Sequence, residues 1–142
     1  TWYMFGETFS QQWNDQLMKY YVLPPCQSCN NGKVSLSFGI GGRGSGVQWH
    51  THGPGFSETI HGRKHWVLYP KVLDVKGFNK DLSSRHWMEE IYTSLDHHER
   101  PWECTVHPEE MIYFPDGWHH ATINLDPYTV FVSSFTWEWD DA

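Results

Sequence analysis

Two histidines one residue apart, His50 and His52, lie in the stretch "VQWHTHGPGFSE", just ahead of a Gly-Pro-Gly turn. On an extended strand residues i and i+2 face the same way, so both imidazoles can reach one metal ion. A third ligand has to come from elsewhere, and "YFPDGWHHATINLD" offers it. There His119 and His120 follow a Pro-Asp-Gly turn at a strand start. Adjacent strand residues point to opposite faces, so only one of these two is expected at the site. Taken alone, His50 and His52 read as solvent-facing imidazoles at a polar strand end, and it is the wider pattern that argues for a metal. Lys64, in "GRKHW", is the second chemical group of interest. A lysine on an inner face needs an anionic partner, because an unpaired buried charge is very costly. Glu58, Ile60, Gly62 and Lys64 share one strand parity, so Glu58 can point inward and either pair with Lys64 or supply a carboxylate to the metal. Its plain alternative is a surface partner of a basic side chain.

These side chains need a scaffold of short strands. Residues 7–21, "ETFSQQWNDQLMKYY", fit a helix with Thr8 or Ser10 as cap. "KVSLSFGI" reads as a strand with Val34, Leu36 and Phe38 on one face, and "VQWH" as a short strand. "FSETIHG" and "KHWVLYP" look like a pair of strands joined at Gly62. "LSSRHWMEEIYTSL" is expected to be helical, starting near Ser83 or Ser84, and four further strands follow in "WECTVH", "EMIYFP", "HHATINL" and "TVFVSSF". So many short strands, with a turn every few residues, indicate a sandwich or barrel. The expected architecture is mainly β: a double-stranded β-helix, or jelly-roll, with one or two short helices. We expect a single domain over 1–142. Its parts are an N-terminal helix and loop (1–33), a jelly-roll core (34–135) with a helical insertion at 71–101, and an acidic tail (136–142).

Composition narrows the classes. The chain has 142 residues, a net charge of −7 and no cluster of Lys and Arg, which argues against nucleic acid or an anionic membrane as main partner. No apolar run is long enough to insert in a membrane. The abrupt start at "TWYMFG" is expected of a mature or trimmed piece, so no compartment is read from it. Aromatic residues make up 17% of the chain, more than helical bundles need and well suited to half-buried strands. Cys26 and Cys29 form a C-x-x-C in a Pro/Asn/Gly loop, a context that fits a local disulfide or free thiols better than a redox helix. Cys104 alternates with Trp102 and Val106 and is expected in the core. His97 and His98 are expected at the surface, and His61, His65, His86 and His107 show no partner pattern.

"SGVQWHTHGPGFSETIHGRKHWVLYP", followed by "ECTVHPEEMIYFPDGWHHATINLD", resembles a jumonji-C (JmjC) domain over about residues 43–135. The family pattern is H-x-D/E, then G-x-K-x-[WF], then P-x-x-W-x-H. Details such as H-x-H-G-P-G-[FY]-S-E are closest to a branch of small members without chromatin-reader modules. That resemblance implies an endoplasmic-reticulum lumen or secretory-pathway protein, and shortened or missing N-terminal strands. It also implies a cupin-like Fe(II)- and 2-oxoglutarate-dependent oxygenase. In that pattern His50 matches the first histidine, His52 stands at the carboxylate position and His120 is the distal histidine, with Glu58 as possible substitute ligand. Lys64 matches the lysine that holds the distal carboxylate of 2-oxoglutarate, and Ser57 is a neighbouring cosubstrate candidate if a bulge shifts the phase.

The exchange of carboxylate for His52 leaves the ion's charge uncancelled and the choice of metal open: iron, zinc, nickel or none. Three functions follow as expectations. One is an oxygenase acting on a protein or peptide side chain. Another is an inactive pseudo-oxygenase serving as a protein-interaction module. The last is a three-histidine metalloenzyme of another class, such as a thiol dioxygenase or zinc hydrolase.

Overall fold

The computed structural model describes residues 1–7, 10–24 and 34–136. Cys26, Cys29, the 25–33 loop and the end from 137 lie outside the described residues. Eight strands form two antiparallel sheets. The larger has the order β1-β2-β8-β3-β6 and contains β1 (Tyr3–Glu7), β2 (Val34–Gly42), β8 (Tyr128–Thr136), β3 (Gly55–His61) and β6 (Met111–Phe114). The smaller has the order β5-β4-β7, from β5 (Trp102–Val106), β4 (Lys64–Tyr69) and β7 (His119–Asn124). Trp66, Leu68 and Val106 of the small sheet pack against Phe114 and Phe135 of the large one. Two sheets closing face to face around one shared core make this a jelly-roll.

Both sheets are also covered outside. Leu36 and Val132 on the outer face of the large sheet pack with Tyr21, Leu17 and Phe38. Leu17 ends the short helix α1 (Gln11–Leu17), which starts where Ser10 accepts a hydrogen bond from the Trp13 amide at 3.1 Å. The small sheet carries the insertion on its back. Trp87, 1% exposed, packs there with Trp49, Val67, Tyr69 and Ala121. Its indole N–H donates to the Lys76 carbonyl at 2.9 Å.

Because the apolar side chains of β2 face outward onto α1, its inward positions are Ser37, Gly39 and Gly41. Buried polar groups inside the barrel include Ser57, Thr59, Lys64, His120, Thr122, Asn124, Thr129 and Ser133. These polar groups share the interior with the aromatic side chains, so it is a lined chamber as much as a core.

Several expectations are corrected. Residues 3–7 form β1, which pairs with β2 at the sheet edge, and the helix begins only at Gln11. "VQWH" is no strand; its one ladder contact is the His50–His120 bridge. The second helix is three residues of α-helix, α2 (Ser84–His86), widened into a π-turn at Trp87–Ile91 and closed by a 3-10 turn at Tyr92–Ser94. Thr136 still belongs to β8 rather than to a tail. Cys104 is exposed, because β5 is an edge strand with a neighbour on one side only. Its companion Trp102 is 67% exposed and only Val106 reaches the core.

The largest correction concerns β3 and β4. They are not partners of each other: β3 pairs with β6 and β8, and β4 with β5 and β7. Gly62 and Arg63 form the corner where the chain passes from one sheet to the other. Gly62 has φ 74°, a left-handed conformation that suits glycine. Arg63 fixes the corner with two hydrogen bonds to Asp126, at 3.0 and 2.9 Å. Side-chain parity does not carry through such a corner.

Candidate metal centre

His120 is the second residue of β7 and points into the chamber, 2% exposed. His50 and His52 arrive on the segment that runs beside the start of β7. There the backbones of His50 and His120 exchange hydrogen bonds of 3.1 and 3.0 Å. His52 is held one step further along, where its carbonyl accepts from the Gly117 amide at 3.0 Å in the Pro-Asp-Gly turn. The result is one cluster of three imidazoles, whose candidate ligand atoms all lie within 4.8 Å of one another. Ring centroids are 4.1 Å apart for His50 and His120, 4.8 Å for His52 and His120, and 5.1 Å for His50 and His52. Phe114 and Phe135 pack edge-on against His52, at 5.3 and 5.0 Å.

The tautomers follow from the hydrogen bonds. Nδ1 of His50 lies 2.8 Å from the Gln48 carbonyl, Nδ1 of His52 2.8 Å from the Gly53 carbonyl, and Nδ1 of His120 2.9 Å from the Trp118 carbonyl. A carbonyl only accepts, so each Nδ1 carries the proton and each Nε2 keeps its lone pair. Backbone carbonyls holding the far nitrogen are what orients histidines for a metal. Burial, reinforced by the neighbouring His50, pushes His120 down to about 3, and burial likewise lowers His50. Both rings therefore stay neutral, as a ligand must be. The donor set fits a divalent ion that accepts nitrogen.

Lys64 opens β4, which pairs with β7 in the same sheet, and is 1% exposed. Desolvation alone lowers its ammonium to about 7, and it has no ion-pair partner among the described residues. Its Nζ is 3.4 Å from Oδ1 of Asn124, and the Phe131 ring covers it at 3.6 Å from the centroid. Asn124 shares the inward face of β7 with His120. Its amide donates to Ser45 Oγ at 3.1 Å, and Ser45 in turn donates to the Gly42 carbonyl at 2.6 Å. The Tyr3 ring stands 5.6 Å from Nζ, and its hydroxyl is buried without a partner. The Lys64 ammonium is thus a buried cation with a single long side-chain hydrogen bond and no carboxylate among the described residues. The chamber between the histidines and Lys64 is small, about 30 Å³, bounded also by Phe5, Trp66, Phe114, Phe131 and Phe135.

Glu58 is not brought to the cluster. Parity from Gly55, Ser57 and Thr59, which are buried inward, turns Phe56 and Glu58 to the outer face. There Glu58 lies opposite Val132 and near Tyr21, which its charge helps to raise to about 12. Ser57 points inward without any bulge and accepts a hydrogen bond from Ser133 at 3.0 Å. His119 takes the opposite side of β7 from His120. Tyr3, Asn124 and Phe131 were missed by sequence reasoning. Asn124 had a signal, since it is four residues after His120 on one strand and must share its face; Tyr3 and Phe131 had none.

No family model matches the chain. JmjC domain-containing protein 8 of Mus musculus is 46% identical over 135 residues, covering 95% of this chain and 49% of that protein. The Homo sapiens protein of the same name is 43% identical over 95% of this chain and 50% of its own length. The chain therefore spans about half the length of the curated relatives it matches. A 2-oxoglutarate and iron-dependent oxygenase, JMJD4 of Mus musculus, is 33% identical over 78 residues, or 50% of this chain and 18% of that protein. Among solved structures, a cupin superfamily protein from Desulfitobacterium hafniense is similar in outline, with TM-score 0.49 and 11% identity over 80% of this chain and 72% of its own.

Proposed function

The chain belongs to the JmjC domain family, and from that premise we propose that it is a metal-dependent oxygenase acting on a protein side chain. Iron would be held by His50, His52 and His120, and 2-oxoglutarate would bind as cosubstrate at Lys64. The observation that carries this reading is the convergence of three imidazoles, each tied through Nδ1 to a carbonyl, beside a buried lysine with no anion. When bound, iron and the keto acid supply the activation of dioxygen.

The chain's own residues orient and exclude. The three carbonyl tethers hold the rings ready before any metal arrives, and Phe114 and Phe135 pack edge-on against His52. Lys64 offers a cation to one carboxylate, and Asn124 holds the amine in place. A groove of about 490 Å³, lined by Tyr69, Val72, Leu73, Arg100 and Trp102, lies at the end of β4 on the side of the insertion.

Anaerobic titration with Fe(II) and 2-oxoglutarate tests this reading. It predicts a charge-transfer absorbance that needs both components and is lost in His120→Ala, with succinate formed when air is admitted. No absorbance and no succinate over a panel of peptides would remove it.

The size of the chamber favours a second reading. A chamber of about 30 Å³ has room for little more than a water or two. A site so small suits a pseudo-oxygenase that keeps the scaffold as a protein-interaction module. It predicts that His50→Ala leaves partner binding intact.

A further inference from the structure

The Lys64 ammonium is capped by an aromatic ring, and the cap is built into the sheet. Gly39 on β2 lies opposite Phe131 on β8 and opposite Phe5 on β1. With no side chain between them, the two rings meet over Gly39 with centroids 5.5 Å apart. A Cβ at position 39 would stand 2.0 Å from Cζ of Phe131, so the ring fills the glycine's place. Tyr3 extends the stack, 6.3 Å from Phe131. Phe131 is itself 2% exposed, with the Lys64 ammonium beneath it at 3.6 Å. A cation on a ring face is attracted to it, which partly replaces the missing anion. The space left over, about 30 Å³, matches a carboxylate group or a water and is several-fold too small for a five-carbon diacid.

We propose that Phe131 sets the size of anion the Lys64 site admits. In its observed position the pocket takes a single-carbon carboxylate or carbonate and turns away a five-carbon keto diacid, which enters only when the ring is removed or displaced. This rests on the reading of Lys64 as an anion site. It adds a condition to the cosubstrate reading: 2-oxoglutarate reaches Lys64 only after Phe131 has moved from its place over Nζ, while the donors for a carboxylate are already in position.

The test is an NMR titration of the full chain with formate and, separately, with 2-oxoglutarate. The variants are Phe131→Ala, Phe131→Leu and Lys64→Met, with backbone spectra confirming the fold of each. Phe131→Leu keeps an apolar side chain at the position should the alanine variant unfold. In the unsubstituted chain, formate binding that Lys64→Met abolishes is expected, with 2-oxoglutarate at least about tenfold weaker. Either Phe131 substitution should shift the ratio of the two affinities toward the diacid by about tenfold or more. If 2-oxoglutarate binds the unsubstituted chain and the Phe131 variants alike, and Lys64→Met abolishes it, the selectivity is refuted while the anion site stands. If no carboxylate binds any variant, or Lys64→Met changes nothing, the anion site itself falls and the proposal with it.

Discussion

His52 occupies the position where the family motif carries a carboxylate, and its ring joins His50 and His120 rather than turning to solvent. Its Nδ1 is held by the Gly53 carbonyl, one residue away, so the orientation is a local property of "HGPG" and needs no distant support. The approach of His50, His52 and His120 to one another was readable from the motif and the i, i+2 spacing, although residues 47–52 form no strand. Glu58 was not readable. Parity was extended across Gly62, where the chain leaves one sheet for the other. Lys64 carries its own prediction. Its folded value of about 7 is below the usual lysine value of 10.5, so between these the unfolded chain holds more protons. Stability therefore rises with pH over that window, and the full cost of the buried cation is felt below pH 7. Lys64→Met should stabilise the chain by on the order of a few kcal/mol at pH 6, with the gain fading to nothing near pH 10.5. Urea unfolding of both proteins across that range checks it, and a gain that is independent of pH would mean that burial of charge is not the cause.

Strands were legible where outer faces are apolar, as in β2, because alternation is visible against α1 and Tyr21. Their inner faces were misleading, since a chamber lined by Ser, Thr, Asn and Gly looks like a solvated face in one dimension. The edge strand β1 escaped notice because "YMFGE" lacks a clean alternation and only pairing with β2 makes it a strand. "VQWH" erred in the other direction: it has strand composition, but its backbone meets that of β7 only through the His50–His120 bridge and a hydrogen bond from the Thr122 amide to the Val47 carbonyl. The element that decides the site's geometry is the corner at Gly62. A Cβ there would meet the Tyr128 carbonyl at 2.6 Å, on a backbone already at positive φ. Gly62→Ala should cost about 1–3 kcal/mol. It should also lower metal affinity, because Lys64 and β7 are registered from that corner. Thermal unfolding and metal titration of the variant are the checks, and wild-type values in both would show that the corner is not needed.

At the scale of the whole molecule, the jelly-roll brings residues 50, 52, 64 and 120 together from three separate parts of the chain. The sequence read alone reached this through the order of motifs, since such sheets place sequence-distant strand ends at one mouth. It could not see how tightly the chamber closes, which depends on two rings meeting over Gly39. A metal that binds only the folded form should stabilise it, by about 4 kcal/mol at a thousandfold excess over the dissociation constant. The most direct measurement is the metal content of the full chain purified without chelator, beside His52→Ala prepared in the same way. About one metal ion per chain is expected, with most of it lost in the variant. Protein that folds normally yet carries essentially no metal, or metal that His52→Ala retains in full, would contradict this.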